Sequence, residues 1–281
     1  MDLNNIFNKI EAVDPEVYER MDTRRSAMKE FAGMAGKVAI AAVPLMLGSM
    51  FKKAYAGTSS SRSPIDVLNF ALTLEYLESS YYNMGRSKFG SMIPAVDVDG
   101  INLIVDDEAK HVIFLQTAIS AAGGTPVPQS NFKYDFTAGG TFSDVFSNYD
   151  TFLAVAQAFE DTGVRAYKGQ AGYLIGTGAI LTAALNIHSV EARHASHIRQ
   201  IRHLRGANVK PWVTLAQSGI GSPAANATYA GEDNTMQAGM ELIGLNGHTE
   251  IDAAAASEAF DEILTTDQVV AIAKNFVTMG L

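Results

Sequence analysis

The chain has 281 residues, of which 47% are hydrophobic, and it carries a net charge of −9 and no cysteine. A chain of this length and composition can bury a large core, and its acidic character argues against a nucleic-acid partner, whose phosphates need a basic face. The absence of cysteine excludes disulfides, iron–sulfur clusters and thiolate zinc sites.

The first 56 residues have the order of parts found in an export signal. Arg24 and Arg25 precede an apolar run at positions 38–51, and Ala54-Tyr55-Ala56 follows as a small-x-small cleavage site. The run is shorter than the roughly 20 residues that span a bilayer, and paired arginines before it resemble a twin-arginine signal. We therefore predict export to the periplasm or the cell exterior, with no membrane span left after cleavage. An amphipathic N-terminal helix that stays attached is the alternative.

Four long segments with helical periodicity follow a Ser-rich linker. Pro64 after Ser63 is a helix start signal, and glycines mark several helix ends. The connections between the first and second helices, and between the third and fourth, are short, so each pair should form a helical hairpin. The predicted bounds of the four helices are 64–85, 100–122, 143–175 and 177–205.

The segment at 123–142 is long for a loop and rich in Gly, Pro, Asn and Thr. In a helical bundle such a segment can run the length of the helices as a crossover. After the fourth helix the long periodicity ends, and two short helices are predicted near 253–264 and 267–279. Few stretches alternate as strands do. We therefore predict an all-α four-helix bundle at 57–205 and a C-terminal helical appendage at 206–281 that packs on it.

Two of the helices carry the motif Glu-x-x-His, at Glu108 and His111 in the second helix and at Glu191 and His194 in the fourth. Residues three apart on a helix are neighbours, about 5–6 Å apart at Cβ. A carboxylate and an imidazole at this spacing can hold one metal ion between them. The motif alone is only a hypothesis, and the other two helices strengthen it.

The first and third helices each place one glutamate in an apolar run, Glu75 and Glu160. A buried carboxylate is costly unless it is paired or binds a metal. Each of these glutamates has a tyrosine seven residues later on the same helical face, Tyr82 and Tyr167. The order Glu-x6-Tyr, Glu-x-x-His therefore occurs twice, which indicates a two-fold repeat of helical hairpins.

One glutamate from each of two helices and Glu-x-x-His from each of the other two is the pattern of ferritin-like di-iron and di-manganese proteins. The segments at 68–78, 159–164 and 259–262 also resemble the bacterial ferritin-like domain family, whose branch includes plant desiccation-related proteins. The resemblance covers roughly residues 62–280. It implies a ferritin-like four-helix bundle with a long crossover between the second and third helices, and a dimetal site without a settled substrate.

The implied ligand set has two bridging glutamates, and one further glutamate and one histidine for each ion. Six protein ligands with four carboxylates favour iron or manganese over copper or zinc, so we expect two iron or two manganese ions. The bridging residues, which are also the catalytic candidates, are Glu108 and Glu191, while Glu75 with His111 and Glu160 with His194 complete one ion each. Tyr82 and Tyr167 are further candidates, as hydrogen-bonding or redox neighbours of the metals, with satisfied core tyrosines as the alternative.

Glu78 competes with Glu75 for the ligand role on the first helix. Its counterpart in the repeat is Gly163, whereas Glu75 aligns with Glu160. We therefore predict that Glu75 is the ligand and that Glu78 is a charge at the edge of the buried stripe.

Other polar residues flank the motifs. Asp107 is either a partner that orients His194 from outside the site or a solvated acid. His188 and His197 lie about 60° from the ligand stripe and are predicted to be packing or rim residues. Cations close the fourth helix, where they suit the helix dipole: Arg199, Arg202, His203 and Arg205.

The sequence leaves two functions open. One is an oxidoreductase of the ferroxidase, peroxidase or manganese catalase type, acting on a small molecule such as oxygen or peroxide, or on ferrous iron. The other is a non-catalytic metal-binding or stress-protection protein, in which the metals mainly hold the bundle together. A bundle without metal would require six inward Glu and His residues to satisfy one another. The sequence does not fix the number of subunits, and a homo-oligomer stays open.

Overall fold

The computed structural model describes residues 62–281, so the predicted export signal lies outside the described residues. The described chain forms four long helices, three short helices and four strands of two or three residues. The long helices are α1 (Pro64–Phe89), α2 (Ala95–Ala121), α3 (Tyr149–Ala171) and α4 (Ala179–Leu204). The short elements are α5 (Asn226–Tyr229), α6 (Ala253–Glu258), α7 (Thr266–Ala273), β1 (Lys133–Tyr134), β2 (Met236–Gln237), β3 (Met240–Glu241) and β4 (Val277–Met279).

Helix α1 begins at the predicted residue but extends beyond the predicted end. The Ser63 hydroxyl accepts a hydrogen bond from the Asp66 amide, and the Asp66 carboxylate accepts one from the Ser63 amide, which forms a capping box ahead of Pro64. The predicted end at Gly85 is wrong, because this glycine lies inside the helix. A Cβ at Gly85 would come within 2.2 Å of the Phe152 ring, so the glycine permits a close approach of α1 and α3.

The other long helices also differ from the prediction at their ends. Helix α2 begins five residues before Gly100, which lies inside the helix where a Cβ would be 2.0 Å from the His197 ring. Helix α3 begins six residues later than predicted, because the Asn148 side chain caps it by accepting from two backbone amides. It ends at Ala171, where a short 3₁₀ turn follows.

The two C-terminal helices are shorter than predicted. Helix α6 ends at Glu258 instead of near 264, and α7 ends at Ala273 instead of near 279. Residues Val277–Met279 form β4, which pairs antiparallel with β1. The sequence did not predict this strand, because three residues are too few to show an alternating pattern.

The four long helices pack as two hairpins, α1 with α2 and α3 with α4. The segment between the hairpins runs along α1. The Val127 amide donates to the Asn69 side chain near the start of α1, and Gln129 donates to Ser80 further along. Where this segment ends, the ring of Tyr149 meets that of Phe89, with ring centroids 5.6 Å apart. The predicted all-α bundle with a long crossover is therefore confirmed.

Helix α3 is the most enclosed of the long helices, because α1, α4 and residues of the C-terminal part contact it. The Leu264 amide donates to the carbonyl of Arg165 on α3. The boundary between the bundle and the appendage, set at residue 206, stays a prediction. None of the described helices is long and apolar enough to cross a membrane. An apolar cluster joins α1, α3 and α7 through Phe70, Leu74, Ala166, Leu264, Val269 and Ile272.

Candidate metal centre

All six side chains predicted as metal ligands point into the interior of the bundle. The carboxylates come from all four long helices and are fully buried, and the two histidine rings are buried as well. They form two groups, in each of which one nitrogen or oxygen atom from every residue lies within 4.8 Å of the others. The first group is Glu75, Glu108, His111 and Glu191, and the second group is Glu108, Glu160, Glu191 and His194.

Glu108 and Glu191 belong to both groups, as expected of residues that bridge two ions. Both histidines turn Nδ1 toward the carboxylates. His111 Nδ1 lies 3.2 Å from an oxygen of Glu191, and His194 Nδ1 lies 2.9 Å from an oxygen of Glu108. In both Glu-x-x-His motifs the histidine therefore turns Nδ1, the ring nitrogen nearer to the backbone, toward the centre. The sequence alone did not indicate which ring nitrogen faces inward.

The two tyrosines each bind the glutamate of the opposite hairpin. Tyr82 on α1 donates to Glu160 Oε1 at 2.5 Å, and Tyr167 on α3 donates to Glu75 Oε1. The other oxygen of each glutamate faces a histidine: Glu75 Oε2 lies 3.2 Å from His111 Nδ1, and Glu160 Oε2 lies 3.4 Å from the Nδ1 atom of the second histidine. Each tyrosine thus fixes one oxygen and leaves the other turned into the centre.

The polar atoms at the middle of the centre fit a pair of metal ions. Although these atoms lie close together, the buried ones that face inward form no hydrogen bonds within the described residues. Buried carboxylates without hydrogen bonds are costly unless a cation binds them. Oxygen-rich ligands with imidazole suit iron or manganese. The atoms without hydrogen bonds are Oε2 of Glu75 and Glu160, both carboxylate oxygens of Glu108 and Glu191, and Nδ1 of His111 and His194.

Three of the four carboxyls are shifted toward the neutral form. Burial and the nearby Glu108 raise the pKa of Glu75 to about 8. Burial also raises the pKa of Glu160 and of Glu191. Glu108 behaves differently: burial disfavours its charged form, but the two histidine rings outweigh burial and lower its pKa to about 2.

The histidine rings are shifted toward the charged form. Burial disfavours the charge on His194, but Glu160 and Glu108 outweigh it and raise its pKa to about 11. The carboxylates around His111 raise its pKa in the same way against the effect of burial. Without metal, the centre therefore holds protons on its histidines and on part of its glutamates, and incoming cations must displace them.

Glu78 lies in a different place from the one predicted. It is only 4% exposed, so the expectation of a charge at the edge of the buried stripe is wrong. Burial and then the nearby Glu191 raise its pKa well above the ordinary value. The repeat contained a signal for this burial. The counterpart of Glu78 is Gly163, and the absence of a side chain there leaves room for a carboxyl group inside the bundle.

The three polar residues that flank the motifs differ in how close they lie to the metal centre. Asp107 Oδ2 lies 3.5 Å from His194 Nε2 without forming a hydrogen bond, and its other oxygen lies 3.1 Å from Lys110 Nζ. It is thus next to the histidine on the outside of the centre. His188 and His197 belong to neither group, and the His197 ring packs over Gly100 of α2.

The cations near the end of α4 include two that are buried, which the dipole interpretation missed. Arg199 is 2% exposed and forms an ion pair with Asp161 of α3 at 2.5 Å. Arg202 donates to Gln157 of α3 and to the carbonyl of Gly219. These arginines therefore connect α4 to α3 and to the C-terminal part. Arg205 pairs with Asp150, and His203 Nδ1 lies 3.0 Å from the carbonyl of Val209.

An apolar cavity of about 390 Å³ lies beside the first group. Its inner wall includes Ala71, Leu115 and Ile187, each four residues, about one helical turn, from a predicted ligand. Tyr167, which binds Glu75, also lines it. The exposed residues that line it are Phe114 and Ala121 of α2, Ala122 just after α2, and Ala179 of α4.

Residues 63–204 match the family model of the ferritin-like domain. The match begins at the cap of α1 and ends at the last residue of α4, so it covers the whole bundle and half of the chain. No curated protein and no solved structure matches the chain. From the family match and the helical bundle together, the chain belongs to the ferritin-like domain family.

Proposed function

We propose that this protein is an exported dimetal oxidoreductase, which binds two iron or two manganese ions and acts on oxygen, peroxide or ferrous iron. The observation that carries the proposal is the geometry of the two groups, which share Glu108 and Glu191. Two buried groups of four ligands with two members in common suit two ions side by side. Each group also keeps few enough protein ligands to leave room for a small substrate.

The side chains of this centre have distinct roles in the proposal. Bound ions supply Lewis-acid and one-electron redox chemistry. Glu108 and Glu191 would hold the two ions, because each belongs to both groups. Tyr82 and Tyr167 keep the Glu160 and Glu75 carboxylates oriented by donating to one oxygen of each, and the enclosing helices exclude bulk water from the site.

The apolar cavity favours dioxygen over peroxide as the molecule that reaches the centre by this route. Dioxygen is apolar, whereas peroxide loses hydrogen bonds on entering an apolar space. The polar groups at the wall are already engaged: Tyr167 donates to Glu75, and Gln170 bonds with Arg62 and Thr266.

Protein loaded with ferrous iron is therefore expected to consume dissolved oxygen as the iron is oxidised to the ferric state, and Ala184→Leu is expected to slow this reaction severalfold. Ala184 lines the cavity, so the larger side chain narrows the route without touching a predicted ligand. An oxygen electrode gives the rate, and Ala192→Leu, at an exposed site on the same helix, serves as the control. Equal rates in the two variants would contradict the route. Two bound ions without turnover of oxygen, peroxide or ferrous iron would contradict the enzyme.

The alternative is a non-catalytic metal-binding or stress-protection protein. The resemblance to the branch that includes plant desiccation-related proteins favours it. The same six residues would then hold the ions mainly to stabilise the bundle. The metal-loaded protein would keep its ions and would not consume peroxide when peroxide and a reductant are added repeatedly.

Export by the twin-arginine route is part of the proposal. We expect Arg24→Lys with Arg25→Lys to leave the precursor inside the cell, because the receptor of this route reads the arginine pair. Cell fractionation measures the distribution, and N-terminal sequencing of exported protein should find a start near Gly57. The control variant, Lys52→Arg with Lys53→Arg, keeps the positive charges at a place outside the arginine pair and should not impair export. Normal export of the double lysine variant would contradict the route.

A further inference from the structure

We propose that Glu78 is a seventh ligand of the metal centre, a fifth carboxylate that occupies the space above Gly163 and makes the two ion positions unequal. The proposal rests on the dimetal function proposed above, and it concerns a residue outside the ligand set that the sequence pattern defines.

The position of Glu78 supports this role. It lies three residues after Glu75 on α1 and is almost fully buried, although it is a member of neither group. A Cβ placed on Gly163 of α3 would lie 3.2 Å from Glu78 Oε1 and 3.1 Å from Glu191 Oε2. The two carboxylates therefore approach the same small volume above the Gly163 backbone, and Glu191 is a member of both groups.

Glu78 also differs from three of the buried acids elsewhere in the described chain. Asp161 pairs with Arg199, Glu232 pairs with Arg165, and Glu258 pairs with a lysine. Within residues 62–281 the structure gives Glu78 neither a hydrogen bond nor a cationic partner. A buried carboxylate without a partner is costly, and the cations proposed for the centre would supply the missing one.

The two-fold repeat breaks at this position. Glu75 corresponds to Glu160, but three residues later Glu78 corresponds to Gly163. One hairpin thus contributes an extra carboxylate, and the other contributes the space that receives it. Five carboxylates with two neutral imidazoles balance one divalent and one trivalent ion, whereas four balance two divalent ions. Glu78 would accordingly favour the state in which one of the ions is oxidised.

Titration of the metal-free protein with Mn²⁺ in a calorimeter tests the proposal. Wild type is expected to bind two ions, and Glu78→Gln is expected to bind one of them about tenfold more weakly or worse, since even residues that only support ligands cost about 10–100-fold when removed. The absorption spectrum of the Co²⁺-loaded variant should change, because cobalt reports its own coordination. Glu258→Gln, at a buried acid outside the centre, should match wild type.

A second variant checks the shared space. Gly163→Ala is expected to weaken the same ion, and combining it with Glu78→Gln should cost less than the sum of the two single losses, because the added methyl group displaces the Glu78 carboxylate as well as pressing on Glu191. Fully additive losses would overturn the shared-space argument. Wild-type Mn²⁺ affinities and an unchanged Co²⁺ spectrum in Glu78→Gln would overturn the ligand role alone. A wild type that binds no ions would overturn the dimetal function, and the ligand role with it.

Discussion

Glu108→Ala is expected to lose both metal ions, and so is Glu191→Ala. Each of these glutamates belongs to both groups, so its removal takes a ligand from each ion at once. The affinity for Mn²⁺ should fall by more than about 100-fold, because the loss of a mere supporting partner already costs about 10–100-fold. Alanine favours the helix, so the fold should survive. Equilibrium dialysis followed by elemental analysis counts the ions bound per chain.

Glu75→Ala is the matched comparison for this experiment. Glu75 belongs to the first group alone, and its removal leaves the second group complete. One ion should therefore remain bound. Glu258→Ala removes a buried acid that pairs with Lys210 outside both groups, and it should leave both ions in place. Equal losses in Glu75→Ala and Glu108→Ala would contradict the bridging role of Glu108.

The ligand set could be predicted from the sequence because its signals are local. A spacing of three residues places Glu108 beside His111 on any helix, and the repeat supplies the other hairpin. The contacts across helices could not be predicted in this way. Tyr82 and Tyr167 each lie seven residues after one glutamate but bind the other one, and this exchange depends on how the two hairpins pack.

Some of the errors in the fold arose where a residue contacts a neighbouring helix. Gly85 and Gly100 suggested helix ends, because a glycine usually weakens a helix. In the structure both lie within helices, where they admit the rings of Phe152 and His197. Arg199 suggested a charge at a helix end, but its buried pairing with Asp161 appears only once α3 and α4 are packed together.

The metal-free protein is expected to be less stable at pH 8 than at pH 5.5. The folded chain keeps a proton on Glu75 up to about pH 8, whereas the unfolded chain releases it near the ordinary value of 4.5. It also keeps a proton on His194 between the ordinary value of 6.5 and about 11. The free energy of unfolding falls with pH wherever the folded state binds more protons, by about 1.4 kcal/mol per pH unit for each extra proton.

Bound metal ions should reverse this trend, because they replace these protons and compete with them at low pH. The gap in Tm between the metal-loaded and metal-free forms is therefore expected to widen from pH 5.5 to pH 8, which thermal unfolding followed by circular dichroism measures. His188 and His197 do not contribute to this gap. Burial lowers their pKa values, so a rise in pH stabilises the metal-loaded and metal-free forms by the same amount. The Glu75→Gln variant has no ionisable side chain at position 75, so its metal-free form should lose less stability between pH 5.5 and pH 8. A gap of equal width at both pH values would show that the protons held by the empty centre do not govern its stability.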